Sequence, residues 1–124
     1  MAKMEIQDAL SLLIDQAAQG HGGSARCAMF LLSLWDGGTY KADLQDLLYN
    51  DQKVFQAMIT ALTTFYVNNE QLDSYITSKQ MDPIIATWGK YFRRKTKQNK
   101  RSWIKTMIEN PHRNLVREMG WVEI

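Results

Sequence analysis

One cysteine, Cys27, stands in the 124-residue chain, so no internal disulfide can staple the fold and nothing calls for an oxidising compartment. Alternating apolar and polar runs are missing, and no Asn-Gly or Asp-Gly pair sits between such runs, which excludes a sheet built from hairpins. Asp36-Gly37 is an isolated turn signal. Long hydrophobic runs are missing too. The longest, "CAMFLLSLW", is nine residues and far short of a membrane span. Repeats and low-complexity stretches are absent. Only two histidines occur, His21 and His112, far apart and without cysteine or carboxylate at metal-ligand spacing. The expectation is therefore no metal, no cofactor and no catalytic residue. Both histidines read as surface residues. Glu5 and Asp8 would interrupt the apolar region of a signal peptide, so the expected location is cytoplasmic.

What is present is helical spacing. With 45% hydrophobic and 23% charged residues, the chain can bury a core and is not generally disordered. Ile6, Leu10, Leu13 and Ala17 predict a first helix over residues 4–18. "GHGGS" breaks it, and Ser24 is a candidate N-cap for a helix over 25–35. That second helix is apolar almost all round, from Cys27 to Trp35, and belongs at the centre of the fold. Asp43 and Asp51 are placed to cap two further helices; in the second, Phe55, Met58, Ile59, Leu62, Phe65 and Tyr66 form a stripe expected to face the core. "NNEQLDSYITSKQ" is weakly periodic. Asp82-Pro83 and Asn110-Pro111 read as helix starts, with Gly120 as the stop of the last helix. The fold class expected is all-α: one compact domain, a bundle of five to seven helices around the central one at 25–35, with a basic C-terminal segment at 90–124.

Charge divides the chain. Residues 1–86 carry five basic and ten acidic residues, whereas 87–124 carry ten basic and three acidic. Residues 90–114 alone hold nine cations and a single acid, Glu109. If the helix beginning at Pro83 runs on, Ile84, Ile85, Trp88, Tyr91 and Phe92 share one face. Lys90, Arg94, Lys97 and Arg101 then line the opposite face, flanked by Arg93 and Lys100, and only Lys95 joins the apolar side. Gly89 is the weak point of that helix. Three readings fit the cations: a solvated face folded against the acidic residues 36–51, a phosphate-binding surface for DNA or RNA, and a contact for an acidic protein or a second copy of the chain joined head to tail. Trp103 fits either base stacking or, with Met107 and Ile108, an anchor for the tail.

Other patterns carry less. "QGHGGSAR" lacks the Gly-Lys-Ser/Thr ending and preceding strand of a phosphate loop, so it reads as an interhelical turn. Arg26 beside Cys27 could lower the thiol's pKa, but the apolar neighbours argue for a buried, inert group. Asp43 and Asp46 are cap and first-turn residues. Trp35 and Trp88 are core by spacing. "ENPHRN" between two short helices is a loose helix-turn-helix pattern without the usual glycine.

The pattern "ALSLLIDQAAQGHGGSARCAMFLLSLWD", through Ala9, Leu13, Ala18, Gly20, Gly23, Ser24, Ala28, Phe30, Leu31, Leu32 and Trp35, is similar to the start of an uncharacterised small bacterial domain met on plasmids, integrative elements and prophages. "ADLQDLLYND" and an aromatic helix ending near Trp88 look like its continuation, so the likeness spans about residues 9–92. It implies a helical fold and a mobile-element association, with no activity attached. The basic tail after Phe92 departs from it.

Taken together, the chain is expected to act by binding. The leading expectation is a mobile-element accessory factor whose Lys90, Arg93, Arg94, Lys97, Lys100, Arg101 and Trp103 contact nucleic acid. The alternative is a protein–protein adaptor or inhibitor, including a homodimer. No membrane partner is expected.

Overall fold

The computed structural model describes residues 5–20 and 22–108; for Gly22, Asn99 and residues 102–108 it describes the backbone alone. Six α-helices and no strand occur among the described residues: α1 Ile6–Ala17, α2 Gly22–Trp35, α3 Leu44–Leu48, α4 Gln52–Asn68, α5 Ser78–Ile84 and α6 Lys90–Ile108. The all-α expectation holds. The chain divides into two units, Met1–Phe92 and Arg93–Ile124. The hydrophobic core described next belongs to the first.

The second helix is central, as its composition predicts. Cys27, Ala28, Met29, Phe30, Leu31 and Leu32 are all buried in succession. Around it pack α1, α3, a 3-10 turn at Leu72–Ser74 and the π-helical turn Ile85–Gly89 that joins α5 to α6. Each large side chain sealed here, such as Leu13, Leu31, Leu32 or Ile84, contributes about 1.5–3 kcal/mol by leaving water. Ser24 does not cap this helix. The helix starts earlier, at Gly22, which places Ser24 inside it and fully buried.

Local chemistry explains most of the other boundaries. Asp36 opens the turn after α2, its Oδ1 accepting from the Thr39 N–H at 3.2 Å. Asp43 caps α3 through the Gln45 N–H at 3.0 Å, and Asp51 caps α4 through the Val54 N–H at 2.9 Å. Both caps sit where the sequence places them. Asn69 closes α4 in the left-handed region, φ 54°, and the Glu70 N–H returns to the Phe65 carbonyl at 3.0 Å.

Two further expectations fail. The helix assigned to Asp82-Pro83 starts five residues sooner, at Ser78, because Thr77 and Gln80 form a reciprocal capping box. Pro83 therefore lies inside α5, where it donates no backbone hydrogen bond, and the π turn follows at once. The stripe on α4 is also rotated. Its buried residues are Val54, Ala57, Met58, Ala61 and Phe65; Phe55 is half-buried, and Ile59, Leu62 and Tyr66 are exposed. Small Ala57 and Ala61 let α4 approach α1, which contributes Ala9 and Ala17 to the core. Trp35 and Trp88 are half-buried rather than sealed. The helix expected after Asn110-Pro111, its stop at Gly120, the "ENPHRN" turn, His21 and His112 all lie outside the described residues.

Candidate functional site

The basic run is helical. From Thr77 the backbone coils without interruption through α5, the π turn and α6, so Gly89 does not break it. Gly89 is buried, and a Cβ there would meet the Ile85 Cγ2 and the Tyr40 hydroxyl, each at 3.2 Å. Glycine here lets the tyrosine ring of the 36–43 loop press against the helix. Trp88 makes a second tie, its indole N–H donating to the Ala17 carbonyl at 3.0 Å. Trp88, Tyr91 and Phe92 form a ring cluster, with Tyr91 and Phe92 edge-on at 4.9 Å.

The π turn resets the phase of everything after it. A π turn accommodates about one extra residue, roughly 100° of rotation at α-helical pitch. Buried positions therefore step from Ile84 to Gly89, five residues, and resume at Phe92 and Thr96. An uninterrupted α-helix would set Tyr91 beside Ile84; instead Tyr91 is 55% exposed and Phe92 is buried. Sequence reasoning missed Tyr91 as a surface residue for this reason. The signal that could have found it is the proline inside a helix with an earlier cap.

Along α6, Lys90, Arg94, Lys97 and Arg101 fall within about 60° of one another, and all four are exposed, as is Arg93. Among the described residues, none of these five side chains makes a hydrogen bond or ion pair. Lys95 is half-buried, on the side the sequence assigns to it. Lys100 is half-buried and already engaged, so it belongs less to the open face than Arg93 does. Trp103 lies on α6 within the residues whose side chains are outside the description, as do Met107 and Ile108. Five cations on one exposed surface, with an exposed tyrosine one turn before Arg94, can neutralise a row of closely spaced negative charges.

Elsewhere the chemistry is structural. Burial, with the Asp51 carboxylate adding to it, pushes the Cys27 thiol up to about 11, so it is protonated and inert at neutral pH. Arg26 does not activate it. Its guanidinium donates to the Tyr49 carbonyl at 3.2 Å and lies over the Tyr49 ring at 5.7 Å. The Tyr75 hydroxyl is raised above its usual range because it donates to Glu70 at 2.9 Å. Among the described residues, no group of three or more His, Cys, Asp or Glu side chains could hold a metal ion. None of their helices is long and apolar enough to cross a membrane.

The fold and this surface define a small all-α protein with one densely cationic helix. Residues 7–89 match the family described as "Family of unknown function (DUF7673)", and the chain belongs to it. The match runs from α1 to the end of the π turn and stops one residue short of α6. The cationic face thus lies outside the part shared with the family. No curated protein and no solved structure matches the chain.

Proposed function

We propose that this protein acts by binding nucleic acid through the exposed face of α6, as an accessory factor of a mobile element. The carrying observation is the set of Lys90, Arg93, Arg94, Lys97 and Arg101: five solvent-exposed cations with no ionic partner among the described residues. A face held by the protein's own carboxylates would gain nothing from phosphates, whereas an open one gains by releasing their counterions. Tyr91 offers a ring on which a base can stack. Lysines and arginines spaced along one helix face suit contact with the phosphate backbone, so the binding proposed is of the phosphate-tracking kind. The mobile-element part of the reading rests on the residues of α1 and α2 that resemble domains carried by plasmids and prophages. It is checked by the genes encoded alongside.

The test is fluorescence anisotropy with labelled duplex and single-stranded oligonucleotides, comparing the parent chain with Arg94→Glu/Lys97→Glu. Both positions are exposed, so circular dichroism should be unchanged. Reversing two charges should weaken binding by about 100-fold or more at moderate salt. Equal affinity of the two proteins removes the reading. Binding to an acidic protein but to no nucleic acid replaces it with the adaptor alternative.

A further inference from the structure

Lys90, Arg94, Lys97 and Arg101 form a row along α6, and the two flanks of that row differ. On one side, about 80° from its middle, stand Arg93, which is exposed, and Lys100, which is half-buried. About 80° to the other side stand Tyr91 and Gln98, both exposed and both uncharged. Lys95 lies further round still and is half-buried. Among the described residues, neither the Tyr91 hydroxyl nor the Gln98 amide has a hydrogen-bond partner.

Tyr91 is also held in place. Phe92, itself buried, meets its ring at 82° with centroids 4.9 Å apart, and Trp88 meets it at 71° and 6.5 Å. Trp88 is in turn fixed by its bond to the Ala17 carbonyl. Neither ring lies flat on Tyr91, and 55% of the tyrosine stays in water. A ring fixed in this way loses little further freedom when a base stacks on it.

The unlike flanks separate two kinds of nucleic acid. A helix lying in a duplex groove has phosphates on both sides, which favours cations on both flanks. Each base of a duplex is stacked between neighbours and reaches a side chain only by leaving the stack, at a cost. A single strand is itself two-sided, with phosphates along one edge and unpaired bases along the other. Each such base has a face for an aromatic ring and an edge for an amide. A cation row with a ring and an amide along one flank matches the single strand. Charge density alone favours the duplex, but one stacked base is worth about 10-fold in affinity and acts the other way.

We infer, resting on the nucleic-acid reading of α6, that its ligand is an unpaired strand with a base stacked on Tyr91. That chemistry is common to single-stranded DNA and RNA. Anisotropy titrations of the full chain with single-stranded DNA, single-stranded RNA and duplex DNA of one sequence test it and distinguish the two sources. At least one single strand should bind more tightly than the duplex. Five phosphate contacts give a log–log salt slope of about −3.5 on a single strand, against about −4.5 on a duplex. Tyr91→Ala should weaken single-strand binding about 10-fold, leaving that slope and duplex affinity unchanged, because no phosphate contact is lost. Tyr91→Phe keeps the ring and should bind as the parent does. If Tyr91→Ala loses helical content, Tyr91→Leu keeps apolar bulk against Phe92 and still removes the planar ring. Preference for the duplex overturns the inference, as does a loss in Tyr91→Ala that is equal on strand and duplex. So does full single-strand affinity in Tyr91→Ala or Tyr91→Leu, or a loss in Tyr91→Phe as large as in Tyr91→Ala. In those cases, weakened binding by Arg94→Glu/Lys97→Glu still upholds the nucleic-acid reading, whereas a parent chain that binds no nucleic acid removes both.

Discussion

The indole N–H of Trp88 donates to the carbonyl of Ala17 at 3.0 Å, joining the π turn to the last turn of α1 across seventy-one residues of sequence. Ala17 is one of the final residues of α1, whose carbonyls have no partner further along the helix. The bond therefore satisfies an orphan acceptor and pins the start of the basic helix to the core. Trp88→Phe keeps most of the ring and removes the donor. It should lower unfolding free energy by about 1–2 kcal/mol in urea titration, with the slope unchanged.

Gly89 and Tyr40 should be energetically coupled. Alanine in a helix normally gains up to ~1 kcal/mol over glycine, but a methyl group here would sit 3.2 Å from both the Tyr40 hydroxyl and Ile85 Cγ2. Tyr40 is 4% exposed and has little room to withdraw. Gly89→Ala should therefore destabilise by about 1 kcal/mol. Combined with Tyr40→Phe, which removes the hydroxyl, its cost should shrink, giving a coupling of about 1 kcal/mol in a double-mutant cycle.

Cys27 predicts a pH dependence. Its folded pKa of about 11 exceeds the ordinary 9.0, so the folded state holds the proton more tightly than the unfolded state does. The resulting stability is complete below pH 9 and is lost as pH rises through 11. Between those limits, unfolding free energy should fall by up to ~1.4 kcal/mol per pH unit more in the parent chain than in Cys27→Ala. Parallel curves for the two proteins would refute the assignment.

Salt should report how many phosphates α6 engages. Five contacts predict a log–log slope near about −4.5, a loss of about 500-fold between 50 and 200 mM salt. Arg101→Ala should reduce that slope by about one unit, and Lys100→Ala by less, because Lys100 is half-buried and already engaged.

The sequence by itself determined the helical class, the central position of α2, and the caps at Asp43 and Asp51. These depend on composition and on interactions within one turn, such as the Asp51 carboxylate meeting the Val54 N–H three residues on. Absolute rotation was not legible. Helical spacing says which residues share a face but not which face is covered, and on α4 the closer approach allowed by Ala57 and Ala61 outweighed the larger side chains of Ile59, Leu62 and Tyr66. The cationic face of α6 was half legible. Its residues share a side at any phase, but Tyr91 turned outward and Phe92 inward because the π turn after Pro83 shifted the register. Only tertiary structure could decide that, since the extra residue is accommodated by packing against Tyr40 and by the Trp88 bond to Ala17, both contributed by distant parts of the chain.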